Sequence, residues 1–328
     1  MNSEKLADFY LKDLSWIERG WTGTDLESIF IQKAKSHLLI LLIFSEVGVD
    51  IRAGELQNHS YLSSLHNFFS VVQQYFDLRG QILLSFHDSV PSEISSRVPV
   101  LTFARLIDDN NSIVIPDPYY LDNLGYQKNF AIIDKVLMST SREDRLPIAY
   151  WRGSSTGMPE LTRESWQDNP RVRLCFKAKE TPELIDARIT RIVQADEFIE
   201  SDHRLQSLMA PWDPLQRNID FRYGIDIDGN ACSWGFFQKL YMDLALIKVR
   251  SQWMQWYYPL IENGKHVLYV DSDLHGLQDA VSLLRADDSM AMRIADNARE
   301  LVKGLDYTQA FIYVGLMLQR IFQSYSKS

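Results

Sequence analysis

Apolar positions along this 328-residue chain follow two rhythms, one near 3.6 residues and one of short continuous or alternating runs. The spacing predicts a helix from Asp25 to Val47, with Ile31, Ala34, Leu38, Leu41 and Leu42 near one face; its apolar run Leu38–Phe44 reads as a buried helix. A second amphipathic helix is predicted over Leu62–Phe76, closed by Arg79-Gly80 as a C-cap. Gln81–Phe86 predicts a buried strand ending in His87-Asp88-Ser89-Val90-Pro91, and Val98–Ala104 and Ser112–Ile115 predict two more. Tyr119–Met138 reads as mostly helical, and the polar stretch Ser139–Pro147 as a domain joint.

In the second half, Ala149–Trp151 and Arg171–Phe176 predict strands, and Thr181–Val193 and Asp196–Leu208 predict helices. Arg222–Ile227 alternates as a strand, turns at Asp228-Gly229 and leads into a helix over Gly235–Leu246. A strand at His266–Val270 precedes helices over Leu274–Arg285, Ser289–Lys303 and Tyr307–Tyr325. Alternating β and α units predict an α/β fold with mostly parallel sheets, split into residues 1–143, residues 144–306 and a closing helix over 307–328 that packs back on the first part. Two such halves would place a ligand crevice at the carboxyl ends of the strands.

Hydrophobic residues make up 46% and charged residues 23%, the balance of a folded globular protein. A net charge of −9 argues against coating nucleic acid. The two cysteines, Cys175 and Cys232, are too few for a disulfide framework and have no histidine at ligand spacing. Met1–Phe9 is polar, unlike a secretory signal, and Leu38–Phe44 is far shorter than the roughly 20 residues that span a bilayer. These features predict a cytoplasmic protein with no integral membrane segment, no nucleic-acid partner and no metal site at the cysteines.

Two stretches carry candidate chemistry. In Tyr150-Trp151-Arg152-Gly153-Ser154-Ser155-Thr156-Gly157, an apolar strand delivers Arg152 into a loop of small residues. Its forked guanidinium and the accessible backbone N–H groups could hold an anion; a plain polar turn is the alternative. In the stretch from Phe221 to Gly235, a strand passes through Asp228-Gly229 to Ser233, a good N-cap for a helix whose free N–H groups attract a diphosphate. A Ser-capped helix that merely faces water fits equally. Asp226-Ile227-Asp228 has the D-x-D spacing that holds Mg or Mn with substrate phosphates, although Asp-Gly is also a strong turn signal, the preferred reading. Asp271-Ser272-Asp273 reads as the cap region of the helix near Leu274.

Several pieces occur in order: Trp151-Arg152-Gly153-Ser154 with Thr156, Arg222-Tyr223, Asp228-Gly229, Ser233, Lys239-Leu240 and Leu246-Ile247-Lys248-Val249. Trp256-Tyr257-Tyr258-Pro259-Leu260, His266–Val270 and Asp273-Leu274 with Leu277 follow. From about Leu83 to Leu301 the chain thereby resembles glycosyltransferase family 90, which includes Rumi-type protein O-glucosyltransferases, fungal capsule xylosyltransferases and bacterial lipopolysaccharide transferases. The resemblance implies a GT-B-like fold, two Rossmann-type domains facing across a cleft, with residues 1–143 on the acceptor side and 144–306 binding the nucleotide sugar. It implies inversion at the sugar, a UDP-sugar as substrate, and no metal or cofactor. Asp88, at a strand end before Pro91, matches the family's catalytic base; an Asx-type turn cap ahead of Pro91 is the alternative role. The donor-binding positions implied are Arg152, Gly153, Ser154, Thr156, Arg222, Tyr223, Asp228, Gly229, Ser233, Gly235, Lys239 and Lys248.

Elementary chemistry agrees: one carboxylate must take the acceptor proton, and fixed donors or cations must stabilise the departing diphosphate. Arg152 with Ser154 and Thr156 is the first choice for the latter, and the N–H groups of Ser233–Phe236 the second. His87 could orient the acceptor or be a surface imidazole, and His266 reads as structural. Trp253, Trp256, Tyr257 and Tyr258 could stack on sugar, with core packing the preferred reading. The chain departs from eukaryotic members at Trp234-Gly235, where those carry an arginine, so one cation is missing or supplied by Arg250. Ser155 stands where some relatives place a basic residue. Both departures, with no secretory signal, point to a bacterial surface-glycan acceptor such as lipopolysaccharide core or capsule. A lipid-linked acceptor would bring the protein to the inner membrane face. The rivals are a metal-dependent transferase using Asp226 and Asp228, and a non-catalytic nucleotide- or glycan-binding protein.

Overall fold

A computed structural model describes residues 2–12, 14, 16 and 21–325; Met1 and residues 326–328 of the expected closing helix lie outside the described residues. Helix α1 covers Asn2–Tyr10 and α2 covers Gly23–Lys33. Thr22 opens α2 through a reciprocal capping box with Asp25. There follow β1 (Leu39–Ser45), β2 (Gly48–Arg52), α3 (Leu62–Phe76), β3 (Gly80–Ser85), α4 (Ser92–Ser95), β4 (Val100–Thr102), β5 (Arg105–Leu106), β6 (Ser112–Val114) and α5 (Pro118–Asp122). The chain continues through α6 (Gln127–Ser139), β7 (Leu146–Ser154), α7 (Pro170–Glu180), β8 (Ile185–Arg191), α8 (Glu197–Glu200), α9 (His203–Gln206), β9 (Phe221–Asp226), α10 (Phe236–Leu240) and β10 (Ala245–Val249). It ends with β11 (Trp253–Met254), β12 (Leu268–Val270), α11 (Leu277–Ala286), α12 (Asp288–Lys303) and α13 (Tyr307–Tyr325).

Two compact units result. One comprises Met1–Gly125, Gln252–Leu260 and Gly304–Ser328, the other Tyr126–Ser251 and Ile261–Lys303. The division falls at Gly125, earlier than the polar stretch 139–147. There the expected single helix breaks in two, because Leu124, Gly125 and Tyr126 all take positive φ (48°, 73° and 62°).

The first unit holds a five-stranded sheet in the order β2-β1-β3-β4-β6. It is mixed: β1 runs antiparallel to β2 and β3, while β3, β4 and β6 are parallel. The run Leu38–Phe44 is therefore not a buried helix. It forms β1, with Leu41 opposite Leu83 and Leu42 opposite Ile82, and Leu39–Leu42 are all buried. A central strand apolar on both faces has no two-residue period, so its pattern cannot be told from that of a buried helix. Helix α3 ends at Asp77 in the left-handed region (φ 45°), ahead of Arg79-Gly80. Gly80 instead opens β3, where a Cβ would meet the Phe322 ring of α13 at 2.7 Å. Helix α13 lies in this unit and buries Tyr313, Val314, Met317, Leu318 and Ile321.

The second unit holds a fully parallel sheet in the order β12-β10-β9-β7-β8. From β7 the chain goes outward to β8, then crosses back to β9 on the other side. The strand order thus reverses between β7 and β9, the point where such sheets bind ligands. Two expected elements exchange types. Arg171–Phe176 lies in helix α7, because Asn169 accepts from the Arg171 and Val172 amides (3.0 and 3.1 Å) and Pro170 takes the first turn. Thr181–Val193 contains strand β8, whose Ile185, Ala187 and Ile189 point into the core and alternate with polar residues. Asp196–Leu208 yields only the single turns α8 and α9. The helix expected over Gly235–Leu246 shrinks to α10, since Asp243 takes φ 55° and Ala245–Val249 pair as a buried strand. One face of the sheet, carrying Trp151, Ala187, Ile225 and Ile247, packs on Val172, Val281, Leu284 and Ile294 from α7, α11 and α12.

Candidate active site

At the carboxyl edge of the parallel sheet, the chain leaving β7 and the chain leaving β9 are tied together by side chains. Arg171, at the start of α7, donates to the Ser154 carbonyl (3.1 Å), the Thr156 hydroxyl (2.6 Å), and the Ile227 and Asp228 carbonyls (both 3.1 Å). Asn169 donates to the Ser155 carbonyl at 2.9 Å while capping α7. From the other side, Asn230 accepts from the Gly157 amide at 2.9 Å. The contact leaves no room at Gly229, where a Cβ would stand 2.5 Å from the Thr156 hydroxyl.

Beneath these loops lies a buried charge network. The Asp226 carboxylate, wholly shielded from solvent, accepts from the ammonium of Lys248 (2.7 Å), that of Lys239 (3.0 Å) and the Ser233 hydroxyl (2.8 Å). Asp228 accepts from Lys248 (2.7 Å), the Ser233 amide (2.8 Å) and the Ser251 hydroxyl (2.5 Å). Burial opposes the charge on Asp226, yet the two lysines and the Ser233 bond outweigh it and hold the carboxyl far below its ordinary range. Burial likewise opposes the charge on Lys248, and Asp226 with Asp228 overcomes it, raising the ammonium well above its usual value. Lys239 has Asp226 alone as counter-ion and shifts downward, chiefly through burial. All four carboxylate oxygens are thus engaged by fixed donors.

The structure brings Ser154, Thr156, Asp228, Gly229, Ser233, Lys239 and Lys248 together. Ser233 does not cap a helix; Gly235 precedes α10, and the Ser233 hydroxyl is spent on Asp226. The D-x-D reading fares poorly, because a divalent ion would have to expel Lys248 from both carboxylates. Arg152 and Gly153 belong to strand β7 and not to the loop after it. Alternation turns Arg152 away from Trp151, and Asp186 grips its guanidinium through two 2.9 Å bonds. Arg222 sits at the opposite end of the sheet, donating to the Arg145 (3.2 Å) and Glu143 (3.1 Å) carbonyls. Tyr223 is core, with its hydroxyl on the Leu284 carbonyl at 3.2 Å. A Cβ at Gly235 would make only ordinary contacts, 3.7 Å from Leu215 and 3.9 Å from Lys239. Arg250 follows β10 directly and is exposed, its guanidinium 4.6 Å from the Tyr269 ring and 3.9 Å from Asp271, beside Ser251 of the network.

Sequence reasoning overlooked Arg171, Asn169, Asn230 and Ser251. The pair Asn169-Pro170 is a helix-start signature and would have placed Arg171 at the head of α7, facing the loops. Arg171→Lys should lower the unfolding free energy by about 1–3 kcal/mol, because one ammonium cannot span four acceptors on two loops and leaves buried carbonyls unpaired. Urea unfolding checks it, and an unchanged stability would show that the loops hold without the clamp.

In the first unit, Asp88 follows β3 in an exposed turn. The buried Ser85 shapes this turn: its hydroxyl accepts from the His87 amide at 3.1 Å and donates to the His37 carbonyl at 3.4 Å. Although its surface is open to solvent, Asp88 has enough protein around it that desolvation raises its carboxyl above the usual value, with the charge of His87 a smaller opposing effect. The four aromatics Trp253, Trp256, Tyr257 and Tyr258 do not form an open platform: Trp256 and Tyr257 are buried, with Trp256 against Tyr120 and Tyr313. His266 is buried and accepts from the Glu262 amide at 3.0 Å.

Comparison with known proteins gives the chain a family. Mouse protein O-glucosyltransferase 1 is 24% identical over 251 residues, covering 72% of this chain and 60% of its own length. The rumi homolog O-glucosyltransferase of Aedes aegypti is 24% identical over 219 residues, covering 63% and 51%. The chain therefore spans about 60% of the length of mouse protein O-glucosyltransferase 1, and less of the Aedes protein. Among solved structures, HepE of Anabaena, crystallised with UDP, is 13% identical with a TM-score of 0.37, covering 83% of this chain and 85% of that one. The family profile matches residues 88–328, from the candidate base to the last residue, and the chain belongs to glycosyl transferase family 90.

Proposed function

We propose that this chain is an inverting glycosyltransferase that moves a sugar of glucose or xylose type from a UDP-sugar to a surface-glycan hydroxyl, with lipopolysaccharide core or capsule as the acceptor class. The observation that carries the reading is the rigid polar frame at the strand-order reversal of the second unit. There Arg171 and the Asp226–Lys248–Asp228 network fix two loops beside the exposed guanidinium of Arg250, a held edge against which a diphosphate can sit. Arg250, the exposed cation beside this frame, is assigned to the departing UDP. Asp88, its carboxyl shifted toward neutrality, is assigned as the base that takes the acceptor proton. Membership of the family supports sugar transfer, and the names of the mammalian relatives support glucose as the donor sugar. Those same names favour a second acceptor class, a protein hydroxyl. No helix among the described residues is long and apolar enough to cross a membrane.

Incubation with UDP-glucose or UDP-xylose and a panel of glycan and protein acceptors tests the reading. Formation of a product with inverted anomeric configuration is expected, and UDP binding without transfer to any acceptor or to water would favour a non-catalytic binding protein. Because lysines and hydroxyls occupy the oxygens of Asp226 and Asp228, EDTA should leave the turnover rate unchanged. Abolition by EDTA, with recovery on adding Mn²⁺, would restore the metal-dependent alternative.

A further inference from the structure

The turn that carries Asp88 is bordered by a row of half-exposed rings. Phe86 lies 5.0 Å from His59 and 5.3 Å from Phe103, centroid to centroid. His59 is 5.3 Å from Tyr61, and Tyr61 is 5.4 Å from Tyr119, whose side is 44% exposed. On the other side of the turn, the imidazoles of His37 and His87 meet at 6.4 Å. The row is fixed from beneath: Ser85 ties His37 to His87, the Phe86 amide donates to the Leu38 carbonyl at 3.1 Å, and Phe103 is buried as its floor. At the far end, the Tyr61 and Tyr119 rings meet edge to face, and Ser64 donates to Asp122 at 2.5 Å. His37, His59, Tyr61, Phe86 and His87 all precede residue 88, so the family profile does not include them.

Most of these rings pair an apolar face with a polar atom at the edge. Such a surface suits a ligand that itself alternates C–H faces with hydroxyls, which describes a pyranose, whereas a lipid or apolar peptide would leave the imidazole and phenol groups unpaired. The row extends over several ring spacings and so exceeds a single sugar. We infer that the surface formed by His59, Tyr61, Phe86 and Tyr119 is the acceptor subsite, and that it binds an oligosaccharide of at least two units with the receiving hydroxyl at Asp88. This inference rests on the proposed transferase reading and adds the residues that select the acceptor and the least length of glycan they bind.

Saturation-transfer NMR with methyl β-D-glucoside, methyl α-D-mannoside, maltose and lactose tests it, with calorimetric UDP titration on the same samples. At least one disaccharide should bind the wild-type chain, more tightly than the methyl glycosides do. Tyr61→Ala and Tyr119→Ala should weaken it about fivefold, while Tyr61→Phe, which keeps the ring, stays within about twofold. Tyr119 is the most exposed of the four, so its variant reports binding even if Tyr61→Ala unfolds. The inference is overturned if no saccharide in the panel binds, if both alanine variants bind like the wild type, or if transfer proceeds only to a protein hydroxyl. Loss of UDP binding in the wild type would instead sink the transferase reading, independently of the saccharide result.

Discussion

Asp88→Asn should lower the rate of sugar transfer by about two to four orders of magnitude, the usual contribution of a positioned general base. UDP affinity should not change, since Asp88 lies in the first unit and the charge network in the second. The pH profile gives the sharper readout. Desolvation raises the Asp88 carboxyl, so the acidic limb of kcat/KM should fall at a pH above the ~3.9 of an ordinary aspartate and vanish in the variant. The sign for stability runs the other way. An aspartate whose folded value is raised costs stability once ionised, so removing its charge should not lower the melting temperature. An Asn variant that keeps wild-type turnover at saturating acceptor would refute the assignment of the base.

The largest structural effect is expected at Lys248. Lys248→Met keeps the length of the side chain but leaves Asp226 and Asp228 buried with their shared cation gone. Removing one partner of a buried ionic network costs about 3–5 kcal/mol, because the remaining charges have neither water nor a counter-ion. Urea unfolding should show that loss, and Asp226→Asn combined with Lys248→Met should recover part of it. The pH dependence follows from the two shifts. Asp226 is depressed in the fold, so its contribution is present above the unfolded value of ~3.9 and is lost as pH falls below it. Lys248 is raised, so its contribution is complete below ~10.4 and is lost as pH climbs through the higher folded value. A loss under about 1 kcal/mol would mean that water or Lys239 takes over the vacated position.

The sequence made some of this legible and concealed the rest for identifiable reasons. Helices α3, α12 and α13 match their expected spans to within a residue, because each is long and apolar on one stripe. Strand β1 and the first two residues of β10 read as helix because they are buried on both faces and lack alternation. Helix α7 was read as a strand because Val172, Leu174 and Phe176 alternate by chance, while its real signal lay in the preceding Asn-Pro pair. At the site, the motif residues from Ser154 to Lys248 were found, but their partners were not. Nothing local in Asp226 or Lys248 announces a contact across 22 positions, and Arg152 looked like the anion holder because its partner Asp186 lies 34 residues away on a neighbouring strand. The aromatic row beside Asp88 was equally hidden, since His59, Phe86, Phe103 and Tyr119 come from separate segments that only the folded unit brings together.

The first unit is assembled from three stretches of chain, the last of which begins at Gly304. Tyr313, Met317 and Ile321 from that stretch are buried, and Phe322 fills the space above Gly80. During synthesis, this core stays open until the end of α13 has left the ribosome, whereas every segment of the second unit is available by Lys303. The usual N-terminal-first order of domain maturation is thereby reversed. The parallel sheet with its charge network is thus free to close first, and the unit bearing the aspartate waits for α13.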